Sequence, residues 1–386
     1  MTVDKANTTS FRLLWDSEFY YQLLKGLIAL NDTAAWTLLS SFAIRACTVF
    51  VHEMTNYEPH IGEAVLNSST KLFKDSYPII RDRIHYFSSH PFNYESEKAD
   101  SITIVGDMQK SFITKPKDAI YHLRHDLSYI KHGDEICCSS MDINALTYGT
   151  PLWKNGQVIG KAIEQYSADL SSIISSVRAG FVSTGMGKII FLDELLPTQI
   201  VRPVFFDGKF DIAVEKSEFT EYVTALSLRM LSDVGSLLFF VDAAFTNKWN
   251  ESNWLYFVVR LIAIRYDEIS DAIYKIATEF PHDESALFIK LLTRNGIYPF
   301  PRNIRQVAKR LRNSIHYNSD SEIWSVDLSK SFYWHDCFLK QASVTSMKFE
   351  KWPTDYIMLK NAMMSHLNKL HELLSNIFDC ELVLSN

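Results

Sequence analysis

Residues 302–316 read Arg302-Asn303-Ile304-Arg305-Gln306-Val307-Ala308-Lys309-Arg310-Leu311-Arg312-Asn313-Ser314-Ile315-His316. At 3.6 residues per turn, Arg302, Arg305, Lys309, Arg312 and His316 share one side of a helix, while Ile304, Val307, Ala308, Leu311 and Ile315 share the other. The stretch therefore predicts an amphipathic helix with one apolar and one charged face. The charged face joins a permanent cation to a titratable imidazole. Arg keeps its charge at physiological pH and forks onto phosphate oxygens, whereas His gains or loses a proton near neutrality. The combination suits binding or cleavage of a phosphodiester.

Working outward from this helix, apolar residues recur with helical spacing over 217–247, 254–279, 284–294, 302–317 and 354–378. The same spacing appears earlier, over 13–30, 33–53, 63–88, 116–132 and 158–178. Asn31-Asp32-Thr33 supplies capping chemistry between the first two early helices, and Asn155-Gly156 marks a tight turn before the last. The pattern changes near 188–216. There Ile189-Ile190-Phe191-Leu192 and Val204-Phe205-Phe206-Asp207-Gly208-Lys209-Phe210-Asp211-Ile212-Ala213-Val214 read as short strands, the second group as a hairpin turning on Asp207-Gly208. The expected architecture is mainly α, with helical domains at 1–185 and 217–386 joined by a β-hairpin junction at 186–216.

The two halves repeat an order of parts: two long apolar helices, a shorter helix with Leu-Arg-polar and a downstream His, an irregular stretch, and a closing amphipathic helix. In the first half the motif is Leu123-Arg124-His125-Asp126 with His132; in the second it is Leu311-Arg312-Asn313 with His316. A tandem duplication follows from these motif positions.

A chain of 386 residues, 47% hydrophobic and 22% charged, is long enough for two packed cores. Its net charge of -6 argues against coating nucleic acid non-specifically, which needs broad phosphate neutralisation, but leaves room for a local basic face. Five cysteines, Cys47, Cys137, Cys138, Cys337 and Cys380, form no spaced framework and fit reduced thiols. The polar start and the short or charge-interrupted apolar runs predict a soluble, cytoplasmic protein without a membrane anchor.

The motifs Leu311-Arg312-Asn313-Ser314-Ile315-His316-Tyr317 and Leu123-Arg124-His125-Asp126 with Lys131-His132-Gly133-Asp134 resemble the signature of the HEPN superfamily. These are helical bundles common among bacterial toxins, abortive-infection proteins and RNases. Their signature is an Arg, a polar residue directly after it, and a His with four to six residues between Arg and His. The second motif has one spacer residue fewer and the first has seven spacers. The first half, from Phe19-Tyr20-Tyr21-Gln22-Leu23-Leu24 through Ala29-Leu30-Asn31-Asp32-Thr33-Ala34, is similar to the abortive-infection branch.

The resemblance implies metal-independent endoribonuclease activity with no cofactor. The His acts as general base on the ribose 2'-hydroxyl, the Arg stabilises the charge of the phosphorane, and the polar neighbour orients the pair. The products then carry 2',3'-cyclic phosphates. The implied catalytic set is Arg312, Asn313, His316, Arg124, Asp126 and His132, with RNA contacts from Arg302, Arg305, Lys309 and Arg310. Two motifs meeting in one cleft imply a homodimer or an intrachain pseudo-dimer. A toxin or antiphage role implies an antitoxin or regulatory protein as partner beside RNA. The alternative is a non-catalytic HEPN-like module that binds a nucleotide or a protein.

Arg81-Asp82-Arg83-Ile84-His85-Tyr86 copies residues 312–317 at four positions of six and makes Arg81 and His85 a reserve motif. His122, His125, Asp126, His132, Asp134, Cys137 and Cys138 form the densest group of metal-ligand types, and His125-Asp126 is similar to the doublet of HD-type metal phosphohydrolases, which makes an HD-like metal phosphohydrolase the third reading. Adjacent cysteines lack the spacing that zinc favours, so no metal is expected. Ser183-Thr184-Gly185-Met186-Gly187-Lys188 lacks the first glycine and the final hydroxyl of a phosphate loop.

Overall fold

The computed structural model describes residues 5–30, 33–57, 59–84, 127–147, 150–154, 157–158, 160–183, 192, 194–198, 203–208, 210–245, 249–250, 254–279, 282–313, 349, 351 and 353–379. The first half opens with α1 (Lys5–Ala29), α2 (Thr33–Tyr57), α3 (Pro59–Ser68) and α4 (Lys71–Arg83). Strands β1 (Leu127–His132) and β2 (Glu135–Ser139) follow, then α5 (Ser140–Thr147), the two-residue strands β3 (Trp153–Lys154) and β4 (Gln157–Val158), and α6 (Gly160–Ser183). After β5 (Val204–Gly208) come α7 (Phe210–Ser217), α8 (Glu221–Leu238) with a π-helical continuation Phe239–Ala244, α9 (Trp254–Glu279), α10 (His282–Arg294), α11 (Arg302–Asn313) and α12 (Thr354–Phe378). The described chain is mainly helical with a small sheet, as its periodicity predicts.

Local chemistry accounts for the helix ends. The stretch 63–88 reads as one helix, yet the chain breaks at Ser69-Thr70, because the Thr70 hydroxyl accepts the Phe73 N–H at 3.2 Å and starts α4 afresh. Helix α10 ends on Gly296, whose φ of 65° lies in the left-handed region that glycine tolerates. There the Ile297 N–H reaches the Leu292 carbonyl at 2.9 Å and the Gly296 N–H reaches that of Thr293 at 3.1 Å, the paired bonds of a Schellman cap. This cap turns the chain towards α11. On α11, Val307, Ala308 and Leu311 are fully buried while Arg302 and Lys309 are exposed, so the two faces seen in the sequence are the two faces of the folded helix.

Two further expectations are corrected. The stretch 116–132 has helical apolar spacing, but residues 127–132 are β1, the central strand of an antiparallel sheet ordered β2-β1-β5. Both its edges are filled: β2 arrives through the turn Gly133-Asp134, and β5 arrives from more than seventy residues away, pairing Leu127 with Gly208 and Lys131 with Val204. The hairpin expected on Asp207-Gly208 is not formed: Val204–Gly208 is a strand paired with β1, and Phe210–Ser217 is helix α7. Buried Ala213 and Ser217, four residues apart, give that segment a helical inner face against α8 and α12.

Helix α6 packs on α1 and α2, and α12 packs on α8 and α9. Buried side chains from both sides of 186–216 form one continuous cluster. Phe19 of α1 stacks on Phe257 of α9 at 4.4 Å between ring centroids and meets Trp254 edge-on at 5.2 Å. Buried ions accompany the rings. Asp16 of α1 pairs with Arg260 of α9, and Asp233 of α8 pairs with Arg45 of α2 at 2.8 Å. The pairs are reciprocal: the first long helix of each half gives the acid, and the second long helix of the other half gives the arginine.

Candidate functional site

Helix α9 is apolar along most of its length, and Asp267 and Asp271, one turn apart, face α11 from it. From α11, Arg312 brings Nη1 to 2.9 Å from Asp267 Oδ2 and 3.9 Å from Asp271 Oδ2. One face of α11 also carries Arg305, whose Nη2 lies 2.6 Å from Asp271 Oδ1 and whose guanidinium stacks 4.0 Å over the Tyr274 ring. Arg312 Nη2 donates to Asn313 Oδ1 at 3.3 Å, so the polar residue after the arginine contacts it directly.

The two acids differ in environment. The Asp267 side chain is 0% exposed and that of Asp271 31% exposed. Among the described residues neither Asp267 oxygen receives a hydrogen bond of good geometry; its link to Arg312 is an ion contact without an aligned N–H. Burial pushes the Asp267 carboxyl up to about 7, with Arg312 pulling it back and Asp271 and Glu268 adding to the rise. The site thus sets two arginines against two acids, and one of these, Asp267, changes charge near neutrality.

Helix α4 carries a related arrangement. Arg81 Nη2 lies 3.8 Å from Glu53 Oε1 on α2, and both side chains are largely buried. Arg81 Nε has no hydrogen-bond partner among the described residues, and burial pushes the neighbouring Tyr77 phenol up to about 12.

Of the residues singled out in the sequence, Arg302 and Lys309 face solvent and Arg310 is half-buried. His85, Arg124, Asp126 and His316 lie outside the described residues. His132 sits at the end of β1 rather than on a helix, half-buried, with its ring edge-on to Phe239 at 5.2 Å and Nε2 without a hydrogen-bond partner among the described residues. Among the described residues nothing joins His132 to Arg312. Cys137 and Cys138 are buried, with burial pushing the Cys137 thiol up to about 12. Among the described residues no three His, Cys, Asp or Glu side chains converge as a metal site. One helix there, Val223–Ala244, is long and apolar enough to cross a membrane, and 89% of its apolar window is buried in the fold.

Sequence reasoning missed Asp267, Asp271 and Glu53. The signal was present: acids set into otherwise apolar helices, where an unpaired charge costs several kcal/mol, roughly, and so announces a partner. Comparison of the chain with family models, with curated proteins and with solved structures returned no match.

Proposed function

We propose that this chain is an HEPN-like, metal-independent endoribonuclease, built from two related helical bundles and acting as a toxin or antiphage effector under control of a partner protein. One observation carries the reading. In each half a short helix after the two long ones carries Arg followed by a polar residue in its last turn, Arg81-Asp82 on α4 and Arg312-Asn313 on α11, and each Arg lies beside an acid on the second long helix, Glu53 or Asp267. The packing of α6 on α1 and α2, and of α12 on α8 and α9, supports the same tandem order. So do the reciprocal Asp16–Arg260 and Asp233–Arg45 pairs, which a pseudo-two-fold relation between the halves would produce.

In this arrangement the first motif is Arg81-Asp82 with His85, in place of Arg124, Asp126 and His132. His316 and His85 are the bases for the 2'-hydroxyl, while Arg312 and Arg81 meet the charge that develops on the phosphate. A second reading, a non-catalytic module binding a nucleotide or protein, is favoured by the acids already engaging Arg305 and Arg312.

The purified protein, incubated with a mixed RNA pool in EDTA, is expected to leave 2',3'-cyclic phosphate ends. His316→Ala and His85→Ala should each slow cleavage about 100-fold or more, the usual contribution of a general base, while circular dichroism stays unchanged. His132→Ala should cleave at the wild-type rate. Loss of activity in His132→Ala with His85→Ala active would return the first motif to Arg124 and His132. No cleavage by the wild type would favour the binding module.

A further inference from the structure

We propose that Asp267 is a positioning residue and proton-coupled latch for Arg312: ionised, it holds the guanidinium against α9, and protonated, it frees that charge for an anionic phosphate ligand. The inference rests on the proposal that Arg312 meets a phosphate. Its geometric basis is the Asp267 carboxyl itself, fully buried, without a hydrogen-bond donor among the described residues, and 2.9 Å from the one guanidinium that reaches it. A buried carboxylate with so little compensation is costly, and such groups persist where charge does work.

The neighbouring charges fit a latch. From α11, Arg312 and Lys309 act on Asp267; on α9 itself, Asp271 and Glu268 do. Asp271 is bound to Arg305 at 2.6 Å and Glu268 to Arg265 at 2.7 Å, so neither is a ready substitute. From α12, His366 is held by Tyr266 at 3.0 Å and by the Ile297 carbonyl at 2.7 Å. Helices α8 and α10 also pack on α9 and bring no ion contact to Asp267 among the described residues. Arg312 is 24% exposed, so a ligand can reach it from solvent while Asp267 remains behind it.

A phosphate that takes Arg312 away raises the affinity of Asp267 for a proton, so ligand binding takes up a proton once the free site has ionised. Because the carboxyl sits at about 7, binding is flat in acid and weakens by up to about tenfold per pH unit above neutrality. The fold carries the same linkage without ligand. The folded value lies above the ordinary unfolded one of about 3.9. Folding therefore takes up a proton between those values, and stability falls as pH rises through that window, levelling off above about 7.

The test uses the full chain and an uncleavable 2'-O-methyl single-stranded RNA, with binding and thermal melting followed from pH 5.5 to 8.5 for wild type, Asp267→Asn, Asp271→Asn and Arg312→Gln. Expected are weakening of wild-type binding of tenfold or more between pH 7 and 8.5, a flat profile for Asp267→Asn, and weak binding at every pH for Arg312→Gln. Asp271→Asn should retain the wild-type slope. In melting, Asp267→Asn should gain over wild type as pH rises to 7 and keep that gain above it. An Asp267→Asn binding profile or melting profile that tracks wild type at every pH would overturn the latch. So would loss of the slope in Asp271→Asn alone. If the melting temperature of Arg312→Gln goes on falling above pH 7, where wild type levels off, and no variant binds the RNA, the coupling of Asp267 to Arg312 stands and the RNA reading falls.

Discussion

Replacing Arg45 with methionine is expected to cost about 3–5 kcal/mol of folding stability, the usual penalty for stripping one partner from a buried ion group. Arg45 is 0% exposed and forks between Asp142 of α5 and Asp233 of α8, themselves 2% and 4% exposed. Methionine fills much of the volume but takes the guanidinium away from both buried carboxylates. Losing the charge-assisted bonds to both acids loosens the contact between α2, α5 and α8. Urea unfolding at pH 7 measures the loss. The triple variant Arg45→Met, Asp142→Asn, Asp233→Asn should recover a large part of it, since the acids that lost the guanidinium are then neutral. A loss below about 1 kcal/mol in the single variant would mean that these acids are hydrated and that the buried pair is not what joins the halves.

The second large effect is expected at Gly235. A Cβ there would stand 2.0 Å from the Cys137 carbonyl oxygen and 2.7 Å from the Cys137 Cα, both backbone atoms of β2. Neither can yield, because β2 is pinned along that edge. The Ser139 N–H donates to Ser232 Oγ of α8 at 2.9 Å, the Ile136 N–H donates to Ser375 Oγ of α12 at 2.9 Å, and His371 Nε2 donates to the Ile136 carbonyl at 2.9 Å. Helix side chains thus cover an edge that would otherwise be open to another strand. Gly235→Ala must lift α8 off the strand and break several of these bonds together, at a cost above about 3 kcal/mol. Gly180→Ala in α6 is the matching control: its Cβ meets nothing within 4 Å, so stability should rise by about 0.5–1 kcal/mol. Thermal melts compare the two directly. Equal melting temperatures for Gly235→Ala and wild type would refute the close approach of α8 to β2.

Helix positions were legible because helical packing is periodic along the chain. Trp254–Glu279, Arg302–Asn313 and Thr354–Phe378 carry their inner faces as apolar stripes that any window of three turns reveals. Residues 127–132 were not legible. Leu127 and Ile130 have helical spacing, and the strand exists because β5, distant in sequence, supplies its second ladder. The same reason hid the end of the hairpin at Asp207-Gly208, whose strand pairs far away rather than with its own continuation.

The candidate site divides in the same way. By itself the sequence determined that Arg305, Lys309 and Arg312 share a charged face opposite Val307, Ala308 and Leu311, and that Arg81-Asp82 and Arg312-Asn313 are similar in kind, since both depend only on residue order and helix pitch. Only the tertiary structure decided that Asp267 stands behind Arg312 with no solvent, that Glu53 stands beside Arg81, and that Arg45 and Arg260 cross between the halves. Charge pairing and desolvation act through distance and burial in space. Neither has a period that a chain can display along its length.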